Sequence, residues 1–129
     1  VGTVTHQKAA DSAPNAVPSA SELELIALDC DRALVGFAYQ PAPAENARQV
    51  AVMLDHGGQL ASSVSRLPEA ERDVRVPGAL QDWAELLDRG PGDGPFANWT
   101  YLRALARAVR SFTQFLQDRT RPRPFWPGR

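Results

Sequence analysis

Between residues 43 and 67 the small and apolar side chains recur every seven positions in three rows. Val50, Gly57 and Val64 form one row, Met53, Leu60 and Leu67 a second, and Ala47, Leu54 and Ala61 a third. Two helical turns return nearly to the same face, so these rows lie side by side only on a helix. The register crosses Gly57-Gly58 without a slip, which a loop inserted there would have no reason to preserve. The spacing therefore predicts one helix from Pro43 to Leu67, with proline in the first turn where its missing amide costs nothing. Each glycine costs about 1 kcal/mol relative to alanine inside a helix. Gly57 lies on the apolar face, so a close approach by a large side chain is expected there, with Trp83 and Phe112 as candidates.

Three further helical patterns surround this one. Ser19 stands three residues before Glu22, and Ser21 three before Glu24; both match a capping box. Leu23, Ile26, Ala27, Cys30, Leu34 and Phe37 then share a face, with Leu25, Leu28, Val35 and Tyr39 on the other side. A helix with two apolar stripes is covered twice, either within a bundle or by another chain. Pro41 and Pro43 are expected to end it. A charged connector over 68–78 carries at most one helical turn. Pro77 opens a short helix with Leu80, Trp83, Ala84 and Leu87 on one face, stopped by Gly90-Pro91. The last pattern starts at a cap on Asn98 or Thr100 and buries Leu102, Leu105, Ala106, Val109, Phe112 and Leu116. No segment alternates with period two. The fold expected is all-α, an antiparallel four-helix bundle over 19–118, or alternatively a three-helix core plus a short accessory helix. Residues 1–18 read as a flexible N-terminal tail, and 119–129 as an extended basic tail rich in proline and aromatic residues.

Charge is divided unevenly. The 129-residue chain carries a net charge of −1, but residues 1–102 sum to −7 and residues 103–129 to +6. Arg103, Arg107 and Arg110 line one side of the last helix, and Arg119, Arg121, Arg123 and Arg129 continue beyond it among Phe125 and Trp126. Arginine forks beside aromatics suit an acidic protein surface or the phosphates and bases of nucleic acid. The partner-binding candidates are thus Arg103, Arg107, Arg110, Arg119, Arg121, Arg123, Phe125 and Trp126. Pro124 to Arg129 also fits a PxxPx+ ligand pattern; packing of Phe125 and Trp126 on an apolar groove is the preferred reading.

Candidate chemistry is sparse. His56 beside Asp55 has the makings of a general base or phosphoacceptor, but the His-x-x-Lys-Gly arrangement of phosphate-relay bundles is missing, and a histidine at the border of the helix face is the simpler reading. Gly57-Gly58 lacks the strand-loop-helix setting of a phosphate cradle. Cys30, between Asp29 and Asp31, falls in the apolar stripe and is expected to be a buried, inert thiol. Two histidines and one cysteine assemble no strong zinc set, so no metal or cofactor is expected. Asn98-Trp99-Thr100 matches a glycosylation pattern but reads better as a helix cap. The single cysteine, the absence of a membrane-length apolar run, and thirteen arginines against one lysine point to a cytoplasmic protein from a high-GC bacterial gene. The functional expectation is a non-catalytic helical protein acting by protein–protein contacts or self-association. The alternatives are a nucleic-acid-binding accessory subunit using the arginine-rich C-terminus, and a phosphorelay or enzyme role at His56.

Overall fold

The computed structural model describes residues 17–119. Four α-helices follow one another: α1 (Ala20–Ala33), α2 (Pro43–Ser65), α3 (Val76–Arg89) and α4 (Pro95–Asp118). Single 3-10 turns occupy Phe37–Tyr39 and Glu69–Glu71, and there is no strand among the described residues. Side-chain pairs fix the directions. Asp31 of α1 meets Arg110 of α4, and farther along Val35 meets Arg103, so α1 and α4 are antiparallel. The Arg75 guanidinium sits 5.3 Å from the Phe115 ring centre while the Tyr101 hydroxyl donates to the Leu86 carbonyl at 3.2 Å, so α3 and α4 are antiparallel too. Asn46 near the start of α2 meets Asn98 near the start of α4, so these two run the same way. The result is an antiparallel four-helix bundle in which α4 packs on all three other helices, while α1 and α3 do not touch each other.

The helix ends follow local chemistry, with three corrections to the sequence reading. At the start of α1, Ser19 Oγ accepts from the Glu22 amide at 3.1 Å and Glu22 Oε1 accepts from the Ser19 amide at 2.7 Å, the reciprocal box expected. That helix stops at Ala33, well before Pro41. The Leu34 amide closes the last turn on the Cys30 and Asp31 carbonyls, and Arg103 caps the free Val35 carbonyl from α4. Helix α4 begins earlier than the Asn98 or Thr100 cap predicted. Gly94, at φ 89°, is its N-cap and Pro95 sits in the first turn. Thr100 Oγ1 instead donates to the Phe96 carbonyl inside the helix. The third correction concerns α3, which buries Val76, Trp83 and Leu86, while Leu87 is exposed and Ala84 faces out. Gly90, at φ 68°, ends α3 as predicted.

The centre of the bundle explains the glycine pair. The helix α2 runs unbroken through Gly57 and Gly58. A β-carbon placed on Gly57 would lie 2.1 Å from Trp83 Cη2 and 2.4 Å from Cζ2, whereas one on Gly58 would meet nothing within 4 Å. The indole thus fills the space that any larger residue at 57 would need. Its other side meets Phe112 edge-on, with ring centres 6.0 Å apart. Burying about 200 Å² of indole at roughly 25 cal/mol per Å² contributes on the order of 5 kcal/mol. Glycine in place of alanine costs about 1 kcal/mol. The packing gain wins, and the glycine is the residue that permits it. Met53, Leu60 and Val64 of α2 and Leu102, Leu105, Val109 and Leu116 of α4 complete the interior around this contact.

Candidate functional site

Arg103, Arg110 and Arg119 are engaged by other parts of the same chain. Arg103 is half-buried, donates to the Val35 carbonyl, and lies 5.0 Å from the Trp99 ring centre. Arg110 pairs with Asp31 of α1, and Arg119 pairs with Glu71 at 2.7 Å. Arg107 is exposed. The unequal charge of the two halves is therefore used, in part, to clamp α4 to α1 and to the α2–α3 connector. The Arg110–Asp31 pair is well exposed and contributes at most about 1 kcal/mol. Arg121, Arg123, Phe125 and Trp126 lie outside the described residues, as does most of the 1–18 tail.

His56 is half-buried and paired with a carboxylate of α1. Its Nε2 lies 2.9 Å from Asp29 Oδ2 of α1, and the same carboxylate accepts from Arg32 at 2.7 Å. The imidazole thus ties α2 to α1 at the border of the apolar face, with Asp55 exposed and apart from it. Cys30 is fully buried, and burial pushes its thiol up to about 11, against a smaller opposing pull from Arg110. A thiol held neutral in this way is a poor nucleophile. No cluster of three or more His, Cys, Asp or Glu side chains suited to a metal occurs among the described residues.

Two features that carry no ionised group remain open to solvent. On the outer side of α1, Leu25 is 63% exposed and Leu28 51%. They belong to the second stripe of the sequence, and no neighbour among the described residues covers them. The other feature is a cleft of about 770 Å³ where the first turns of α2 and α4 come together. Pro41, Pro43, Pro91 and Pro95 line it together with Val50, and no charged side chain does. Asn46, only 5% exposed, also lines the cleft and donates through Nδ2 to the Asn98 carbonyl at 3.2 Å. Its Oδ1 has no hydrogen-bond partner, and neither does that of Asn98. Neither N-cap, Ala42 nor Gly94, provides a side-chain acceptor for the first-turn amides. The sequence reading missed this cleft, because its prolines come from separate connectors and were read only as local signals for helix starts, stops and loops.

A protein-family model, described as a family of unknown function (DUF6415), matches residues 24–121. The chain belongs to this family. No curated protein and no solved structure shows significant similarity to the chain. The DUF6415 match runs from the first turns of α1 to just past α4, so it takes in the Gly57–Trp83 contact, the Asp29–His56 pair and the proline-lined cleft. Of the arginine and aromatic candidates it includes Arg103 to Arg121 and leaves out Arg123, Phe125 and Trp126. No helix among the described residues is long and apolar enough to cross a membrane.

Proposed function

We propose that this chain is a non-catalytic helical protein that works through contact with a protein partner or a second copy, as an adaptor, regulator or small subunit of an assembly. The observation that carries the reading is the Leu25 and Leu28 stripe, which α1 turns to solvent although its opposite face already supplies the core. Covering a leucine side chain yields about 1.5–3 kcal/mol in full, so two half-covered leucines offer a real gain to any complementary surface. The ionisable candidates support the same reading: His56, Arg103, Arg110 and Arg119 all hold the bundle together. This also lowers the claim of a nucleic-acid role for these arginines. A bacterial, cytoplasmic setting belongs to the proposal and rests on composition and on the single buried Cys30.

The test compares the natural chain with a Leu25→Glu, Leu28→Glu double variant. Both are measured by size-exclusion chromatography with light scattering over a concentration series, and by affinity purification from the native host. The expected result is a self-associated species or a specific co-purifying protein that the variant loses while its melting temperature stays unchanged. A monomer at every concentration, with identical co-purifying proteins for both chains, would contradict the proposal. Salt-dependent binding of single-stranded or duplex probes by both chains would favour the nucleic-acid reading instead.

A further inference from the structure

We propose that the face formed by α3 and α4 is a two-fold interface between two copies of this chain, in which Arg107 of each copy meets Asp82 and Glu85 of the other. The face lies on other helices than the α1 stripe, so either can fail without the other.

Helices α3 and α4 are antiparallel neighbours, and a groove runs between them on the outside of the bundle. Its two hollows, of about 620 and 340 Å³, share Ala79, Asp82 and Ser111. The walls carry opposite charge. Asp82 and Glu85 stand on the α3 wall and Arg107 on the α4 wall; all three are exposed and line the same hollow. None of the three forms an ion pair among the described residues. The groove between them keeps the opposite charges from pairing within one chain. Two other arginines of the groove are already taken, Arg75 by Asp73 and Arg110 by Asp31.

A two-fold axis lying along the groove lays α3 of each copy on α4 of the other at the same level. Because Asp82, Glu85 and Arg107 line one stretch of the groove, the operation brings Arg107 to both acids, and it does so twice. A face of one sign repels its own copy, whereas a face whose two walls differ in sign is complementary to itself. This self-complementarity is what singles out a second copy as the occupant. The groove floor permits the approach, since Gly78, Ala79, Ala104, Ala108 and Ser111 are all small. The same rotation carries Val74 to Gln114 and Phe115 of the other copy, which line the same end of the groove. Val74 is 90% exposed, the most of any large apolar side chain among the described residues. Exposed ion pairs set register and contribute little affinity, which comes instead from covering Val74 and the alanines. Helix α3, with 14 residues, is about 21 Å long, and two neighbouring helices are together about 20 Å wide. A face of that outline lies at the low end of specific interfaces, so a weak dimer is expected.

The test is sedimentation equilibrium of the full chain up to its highest soluble concentration. It is repeated for a double variant, Asp82→Arg with Glu85→Arg, for the single variant Arg107→Glu, and for an equimolar mixture of the two. The expected result is a monomer–dimer equilibrium that each variant weakens by about tenfold or more. The mixture is expected to restore it, because the reversed α3 of one variant then meets the reversed α4 of the other. All three positions are exposed, so melting temperatures should stay near that of the natural chain. The Leu25→Glu, Leu28→Glu chain is expected to dimerise like the natural one, which separates this face from the α1 stripe. Should a variant fail to fold, proton–nitrogen NMR of the natural chain on dilution decides the matter, with shifts expected at residues 78–85 and 104–111. A natural chain that stays monomeric at every concentration would overturn the proposal. So would unchanged dimerisation of either charge variant, or a mixture no more associated than its parts. Loss of the dimer in the Leu25→Glu, Leu28→Glu chain, or dilution shifts confined to other parts of the bundle, would overturn it as well.

Discussion

At the level of Gly57, helices α2 and α4 share a filled interior with α3; at the level of Asn46, the same two helices stand around an open cleft. The difference comes from a few residues. In the middle, a residue without a β-carbon admits an indole, and the indole in turn packs on Phe112. At the end, Pro41, Pro43, Pro91 and Pro95 crowd the connectors, and a hydrogen bond from Asn46 Nδ2 to the Asn98 carbonyl links the two helices. The two levels thus divide the work: the first supplies stability, and the second supplies a surface whose polar groups are incompletely paired. An unmet buried acceptor is tolerated there because the packed level elsewhere carries the stability.

Substitutions at the two levels should differ sharply. Trp83→Ala removes the indole from the packed level and is expected to lower unfolding free energy by about 3–5 kcal/mol in a urea titration. A loss below about 1 kcal/mol would mean that the interior closes over the gap and that the packed level is not special. Cys30, on the buried face of α1, gives a pH signature. Its folded pKa of about 11 lies above the ordinary value of 9.0, so the folded chain keeps a proton that the unfolded chain gives up. Stability from this group is full below about 9 and falls as pH rises toward 11, and a Cys30→Ala chain should show a shallower decline over that window. The thiol should also resist alkylation at pH 8 until the chain is unfolded; rapid alkylation of the native chain would show that α1 is loosely held. His56→Ala removes one bond between α1 and α2 and leaves Asp29 with Arg32, so a loss of less than about 1 kcal/mol is expected. Asn46→Leu should change stability least. It deletes one hydrogen bond and one unmet acceptor together, and melting within about 1 kcal/mol of the natural chain is expected.

The packed level was legible in the sequence and the cleft was not. Rows with a seven-residue repeat crossing Gly57-Gly58 required a helix, and the need to offset glycine's cost pointed to Trp83 or Phe112; Trp83 makes that contact, and Phe112 packs against Trp83. The α4 stripe from Leu102 to Leu116 was also readable, because burial on one helix face leaves a periodic trace. The ends were read less well. The Gly94-Pro95 pair carried the signal for the start of α4, but the more conspicuous caps at Asn98 and Thr100 outweighed it, and Pro41 drew the expected end of α1 past Ala33. On α3, the choice of 84 and 87 over 76 and 86 could not be made from one short helix, since its facing is set by Trp83 entering the Gly57 notch. Arg103, Arg110 and Arg119 looked like a ridge for an outside partner because the groups that meet them, the Val35 carbonyl, Asp31 and Glu71, are distant in the chain. A cleft built from four prolines and two asparagines of different segments has no period at all.

The central claim is that Gly57 is a packing residue and Gly58 is not. Replacing each by alanine and measuring unfolding free energy side by side tests it most directly. Gly57→Ala drives a β-carbon into the Trp83 ring and is expected to destabilise by about 1–3 kcal/mol despite alanine's better helix propensity. Gly58→Ala meets open space and is expected to stabilise by up to about 1 kcal/mol. Opposite signs support the account; equal or same-sign changes at the two neighbouring positions would contradict it.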